Sequence, residues 1–168
     1  IERTFGCRVA NGYGGRDAGF IAHECPDGGM HITAEDVIVE IVDGAGSCVA
    51  YAFYQPRSHI PLRILSLAPE APSDEAFWRG RRSAAIANRT GLSGTDAKRL
   101  VHSEADGLPG LIVDQYGAYL VVQFRTAGMD RRRDLIVSLL LELAQPRGIL
   151  ERSDKEFREE EGLPPVTR

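Results

Sequence analysis

The sequence predicts an α+β fold in which a β-rich first part is followed by a part that alternates strands and helices, and three observations carry that expectation. The runs VIVEIV (Val37 to Val42) and CVAYAFY (Cys48 to Tyr54) are β-branched and aromatic, and Asp43-Gly44-Ala45-Gly46-Ser47 supplies turn chemistry between them. Leu135, Ile136, Leu139, Leu140 and Leu143 recur at helical spacing. The stretch Ala68-Pro69-Glu70-Ala71-Pro72 separates the two parts with a composition suited to a linker.

Taken in order, Ile1 to His31 is glycine-rich without clear periodicity, and Asn11-Gly12 and Gly14-Gly15 mark turns in it. The hairpin from Val37 to Tyr54 follows, then Pro56 and a further strand from Ser58 to Leu67. Ser73, with Asp74 and Glu75 behind it, is a helix start, and Phe77, Trp78, Ala84, Ala85 and Ile86 give that helix an apolar face as far as about Arg89. Arg99 to His102 reads as a strand and Leu111 to Asp114 as another, with Gly107, Pro109 and Gly110 forcing a restricted turn between them. Gln115 to Ala118 is a turn, Tyr119 to Arg125 a longer strand, and Asp130 to Ala144 a helix closed by Pro146. Ile149 to Arg152 is a short strand, and Ser153-Asp154 caps a charged helix that ends at Gly162.

Composition narrows the function classes. With 168 residues, 43% of them hydrophobic, the chain can bury a core as one large or two small domains. No apolar run approaches the ~20 residues of a membrane span, and no signal-peptide order opens the chain, so a cytoplasmic, non-membrane protein is expected. Cys7, Cys25 and Cys48 make an odd set without scaffold spacing, which fits free thiols. The start at Ile1 suggests a trimmed fragment. A net charge of −4 argues against a surface that grips phosphate everywhere, so local patches must carry any such binding. Arg79, Arg81 and Arg82, then Arg131 to Arg133, then Arg57 with Arg63 are the candidates, each readable equally as a solvated face.

Motif chemistry is sparse. Ile41 to Gly46 has the look of a glycine-rich nucleotide loop, but the following residues are strand formers where such a loop must open a helix, so a hairpin turn is expected. His23, Cys25, His31 and Cys7 lack paired zinc spacing, and no metal site is expected. Glu104 and Asp106, with His102 and Asp114 nearby, could divide acid and base roles or could simply cap a solvated turn. No nucleophile elbow, phosphate loop or zinc-protease helix is present, and no catalytic residue is assigned.

The segments LVHSEADGLPGLIVDQYGAYLVVQ, AGMDRRRDLIV, ILERSDKEFREEEGL and YQPRSHIPLRILS together resemble the ribosomal RNA 5-methylcytosine methyltransferases. The resemblance runs from about Val37 to the C-terminus. It implies a PUA-like β domain over residues 1–67, then a central α+β domain over 73–168 with a mixed sheet and two main helices. The S-adenosylmethionine-binding catalytic domain of that family is expected to lie outside this chain. The chain alone is then expected to be inactive and to hold no cofactor, S-adenosylmethionine belonging to the catalytic domain. Its partner would be ribosomal RNA.

Residue by residue, Tyr54, Pro56, Arg57, Ser58 and Arg63 match the family's link between two strands of the PUA-type domain, where a basic side chain can meet phosphate or the link can simply pack. With Arg99, the residues Arg57, Ser58 and Arg63 are the RNA-binding candidates. Glu104 and Asp106, with Gly107 to Gly110, match the central domain's loop, and Glu151, Arg152, Ser153, Asp154 and Arg158 match its C-terminal motif. Glu104, Asp106, Arg152 and Asp154 are thus substrate-cleft candidates, although Arg152 and Asp154 could equally form an ion pair that locks the helix start. The basic opening and His-Pro-Trp type motif usual in the family have no equivalent in Ile1 to Gly29, which marks that stretch as divergent. Two alternatives remain: a non-catalytic interaction module that dimerises through the Leu135 to Leu143 face, and a small hydrolase using Glu104 and Asp106.

Overall fold

The computed structural model describes residues 12–15, 19–24, 30–32, 37–67, 72, 75–89 and 94–166. Contacts divide the chain into two compact units, Ile1–Glu35 and Asp36–Arg168. The first carries three short strands, β1 (Gly12–Gly15), β2 (Gly19–Glu24) and β3 (Met30–Ile32), in an antiparallel sheet of that order. Gly14 and Gly15, expected in a turn, pair instead with Phe20 and Gly19, because the backbone ladder accepts glycine without side-chain support. Cys7 and Cys25 lie outside the described residues.

In the second unit the β-branched runs form β4 (Val37–Val42) and β5 (Cys48–Tyr54), antiparallel from Val37 opposite Tyr54 to Val42 opposite Cys48. The Asp43 carboxylate holds the turn by accepting from the Ala45 and Ser47 N–H groups at 2.8 and 2.9 Å. β6 (Leu62–Ser66) pairs with β5 on its other side, giving the order β4-β5-β6. The strand expected from Ser58 thus starts only at Leu62. Residues 55–61 loop back on themselves, with Gln55 N–H donating to the Pro61 carbonyl at 2.9 Å.

Beyond the linker, α1 (Glu75–Ala87) buries Trp78, Arg82 and Ala85. Its expected cap, Ser73, lies outside the described residues. A four-stranded sheet follows in the order β10-β9-β8-β7, built from β7 (Ala97–His102), β8 (Leu111–Tyr116), β9 (Tyr119–Phe124) and β10 (Gly148–Glu151). β7, β8 and β9 are antiparallel neighbours, whereas β10 returns parallel to β9, so the sheet is mixed. That return needs a crossover, and the helices after β9 supply it.

The helix expected from Asp130 is two helices, α2 (Ala127–Asp130) and α3 (Arg133–Ala144). Thr126 caps α2 early by accepting from the Met129 N–H at 3.3 Å. The break falls at Arg131-Arg132, where the Arg132 side chain bonds the Gly128 carbonyl at 2.8 Å. The last helix, α4 (Lys155–Glu160), stops short of Gly162, whose φ of 72° suits a chain reversal. Asp154 occupies its N-cap position without a side-chain cap bond. The Ser153 hydroxyl is used elsewhere: it donates to Glu151 at 2.8 Å and accepts from the Phe124 N–H at 2.9 Å.

One hydrophobic cluster joins both sheets of this unit. Phe53 and Leu65 from the first sheet share it with Trp78 of α1, Val101, Val113 and Val122 of the second sheet, and Ile136, Leu139 and Leu140 of α3. The Phe53 and Trp78 rings stack with centroids 6.2 Å apart. Gly128 makes the join possible, since a Cβ there would collide with the Phe53 ring. The 68–72 stretch therefore connects elements that share a core.

Candidate functional site

The arginines that give the sequence its basic patches do different work. Arg79 is clamped by Glu75, at 2.5 Å, and by Glu142, contacts that raise its pKa, while the same hydrogen bond holds Glu142 below the usual carboxylate range. Arg82 is wholly buried, among the described residues none of its three guanidinium nitrogens has a hydrogen-bond partner, and burial with the nearby Arg79 charge lowers its pKa to about 10. Arg132 lies about 5 Å over the Phe53 and Trp78 rings, its pKa lowered by burial and by Arg131. Arg133 bridges Asp130 and Glu151, and the buried Arg158 reaches the same Asp130 oxygen at 2.7 Å. The RRR run and the ILERSD motif thus interlock α2, α3, β10 and α4. Sequence spacing alone shows charges, not which of them face inward.

Arg81 and Arg63 differ. Both line an open groove of about 840 Å³ with Ile60, Leu62, Ile64, Leu67, Glu104 and Gly107. Strand alternation puts Leu62 and Ile64 outward on β6, about half exposed, while Leu65 points into the core. Arg63 bonds Glu104 at 3.0 Å. Burial pushes the Glu104 carboxyl up, but hydrogen bonds from Ser103, a backbone N–H and Arg63 outweigh it and hold the group below the usual range. The 3₁₀ turn Ser103–Asp106 presents it, and Gly107 closes that turn at φ 65°. A side chain at Gly107 would overlap the Arg81 guanidinium, so glycine is needed both for the turn and to let Arg81 reach the groove. Arg81 also lies 5.2 Å from the Phe77 ring and 3.4 Å from the Ser66 hydroxyl.

Behind the groove, Glu161 acts as a buried anchor. Its carboxylate accepts from the Ser58 hydroxyl at 2.6 Å and the Ala127 N–H at 3.1 Å, and it lies 3.5 Å from Arg63. Its carbonyl accepts from the Gln55 side chain at 3.2 Å. One residue beyond α4 therefore fixes the 55–61 loop, the start of α2 and the arginine of the groove. The charged run EEEG hides this role in the sequence.

Of the expected site residues, the structure brings Arg63 and Glu104 together at the groove with Ser58 behind them on the Glu161 carboxylate that Arg63 also approaches, and places the others away from it. Ser58 is buried on Glu161, and Arg57 is exposed on the same loop, its N–H donating to the Gln55 side chain at 3.1 Å. Asp106 does not line the groove: both its oxygens are taken by Arg89 at 2.8 and 2.9 Å, and the His102 N–H donates to one of them. Arg99 sits on β7 in a two-point pair with Asp114, which raises its pKa. Arg152 and Asp154 are exposed around a separate depression of about 290 Å³ with Glu151, Ser153 and Lys155. Among the described residues no ion pair joins Arg152 to Asp154. The glycine-rich turn at 43–46 joins β4 to β5 and opens no helix, so it offers no cradle for a nucleotide cofactor.

A family model described as a PUA-like domain matches residues 31–67. Ribosomal RNA large subunit methyltransferase I of Escherichia coli O127:H6 is 36% identical over 128 residues, covering 74% of this chain and 32% of that protein. Its namesake from Alteromonas mediterranea is 36% identical over 132 residues, covering 77% and 33%. The chain therefore spans about a third of the length of the curated relatives it matches. Among solved structures, a Streptococcus mutans protein assigned as a SAM-dependent methyltransferase superposes with a TM-score of 0.63 at 16% identity, over 73% of this chain and 34% of that one. A second, assigned as a methyltransferase and complexed with SAH, gives 0.64 at 16% identity over 75% and 34%. At that identity the likeness shows the fold. The chain is a PUA-like domain joined to an α+β domain with a mixed four-stranded sheet, similar over three quarters of its length to proteins named ribosomal RNA large subunit methyltransferase I.

Proposed function

We propose that this chain is the RNA-recognising, substrate-positioning portion of a SAM-dependent ribosomal RNA methyltransferase acting at cytosine C5, with methyl transfer and SAM binding carried by residues outside these 168. The observation that carries the reading is the groove in which Arg63, from the PUA-like segment, meets Arg81 and Glu104 of the following domain above an apolar floor. Glu104 and the buried Glu161 balance Arg63, so Arg81, which forms no ion pair among the described residues, is the cation the groove offers to the phosphate backbone, and Leu62 and Ile64 offer apolar contact to base or sugar. The cytosine-C5 target rests on the motif resemblance, and the names of the relatives support ribosomal RNA as the substrate.

Replacement of Arg81 by Gln tests this. Arg81 is half-buried at the groove and holds no carboxylate among the described residues, so its loss spares the ion-pair network described above. The variant is expected to bind ribosomal RNA fragments about fivefold to tenfold more weakly and to lower the salt slope by about one ion. Unchanged affinity and slope in filter binding would remove the groove from RNA recognition. Stoichiometric SAM binding by the chain alone would contradict the assignment of the cofactor to other residues.

A further inference from the structure

Glu104 is the part of the groove that phosphate binding leaves unexplained. A carboxylate repels phosphate, and Arg63 already has the buried Glu161 at 3.5 Å, so one acid would be enough to balance it. The Glu104 side chain is 52% exposed on the groove lining, whereas that of Glu161 is 4% exposed. The second acid therefore stands open to whatever lies on the apolar floor.

The carboxylate is held in place. Its Oε1 accepts from Arg63 at 3.0 Å and its Oε2 accepts from the Ser103 hydroxyl. The same hydroxyl accepts from the Gly110 N–H at 2.7 Å, which ties the acid to the far side of the turn. Ser103 sits at φ 49°, a left-handed conformation rare outside glycine, and such backbone outliers gather where a side chain is positioned for a ligand. An ionised carboxylate accepts hydrogen bonds and donates none. Around this acceptor the groove offers Leu62 and Ile64 as floor and, beside Gly107, the Arg81 guanidinium. An acceptor, an apolar floor and a cation match the donor edge, the ring face and the phosphate of an unpaired nucleotide.

We infer that Glu104 selects the base that the groove takes, favouring an unpaired base whose edge carries an amino group, cytosine above uracil. The inference rests on the RNA-recognition reading of the groove and names what the acid adds to it. Cytosine presents its N4 amino group as a donor where uracil presents the O4 oxygen, an acceptor. The carboxylate attracts the first and repels the second, although the two rings are the same size. Apolar contact with Leu62 and Ile64 and a phosphate on Arg81 are blind to that difference, so any preference between the two bases reports on Glu104.

The test is the affinity of the full chain for single-stranded oligocytidine and oligouridine of equal length, with Glu104→Gln and Arg81→Gln alongside. Circular dichroism checks that both variants stay folded. The wild type is expected to bind oligocytidine about tenfold more tightly than oligouridine. Glu104→Gln keeps the shape but carries an amide that donates to O4 as readily as it accepts from N4, so the preference should vanish. Arg81→Gln should weaken both oligomers alike and keep the preference. A wild type that binds the two equally would overturn the selection and leave the groove as an RNA site. Equal tightening of both by Glu104→Gln would make Glu104 a counter-charge only and overturn the selection. Failure to bind either oligomer would overturn it as well, and failure to bind ribosomal RNA fragments too would overturn the RNA reading with it.

Discussion

Removing the Glu161 side chain as Glu161→Ala is expected to destabilise the protein by about 3 kcal/mol, because it strands several buried groups at once. The Ser58 hydroxyl and the Ala127 N–H lose their acceptor, and Arg63 loses one of its two carboxylates. Glu161 itself is only 4% exposed, so water cannot readily take its place. For a domain of this size the loss corresponds to roughly 6–12 °C in Tm. Glu161→Gln keeps one acceptor oxygen and should lose less. Thermal unfolding of the two variants checks the order, and an alanine variant as stable as the wild type would show that the 55–61 loop is held by other contacts.

The opposite sign is expected at Arg82. A guanidinium with no hydrogen-bond partner among the described residues and no exposure carries an uncompensated desolvation cost, and Glu142, whose charge acts on it, already has its carboxylate on Arg79. Arg82→Met keeps the length and apolar stem and removes the charge, so it should stabilise by about 1–3 kcal/mol. The sign with pH follows from the lowered pKa. The charged form is disfavoured in the folded state, so its penalty is fully present below about 10 and relieved as pH rises through that value. The stability gap between variant and wild type should therefore narrow above pH 10. A variant that melts lower than the wild type would show that the guanidinium is satisfied by a buried partner such as water.

These two residues also show what the sequence conveys and what it withholds. The hairpin at Val37 to Tyr54, the helix through Trp78 and the strand at Tyr119 were legible from β-branched, helical or alternating apolar patterns, and the strands at Arg99 and Leu111 from short apolar runs bounded by the Gly107-Pro109-Gly110 turn residues. The break between α2 and α3 was not, because Leu135 to Leu143 satisfies a helical period however the preceding turn is capped, and the cap depends on Thr126 together with the distant Glu161. Charged residues were the least legible. RGRR puts one arginine in an ion-pair clamp, one in the groove and one in the core, and local spacing is the same for a solvated face. Arg63 and Glu104 could be named from sequence, but their meeting across 41 residues belongs to the tertiary fold. Asp106 shows the converse, an acid in a promising loop whose carboxylate is occupied by Arg89.

The leucine face read as a dimer surface is largely internal as well. Leu139 and Leu140 are buried in the chain's own core, while Leu141 and Leu143 remain about half exposed. The groove combines exposed apolar residues, Leu62 and Ile64, with the Arg81 guanidinium.

The central claim, that these residues recognise ribosomal RNA, is tested most directly by the affinity of the chain for ribosomal RNA fragments across a salt series. Local cations that displace counterions from phosphate predict a linear fall of log affinity with log salt, with a slope set by a few contacts at about 0.7 per phosphate on single strands. Binding absent at low salt, or present but indifferent to salt, would contradict it.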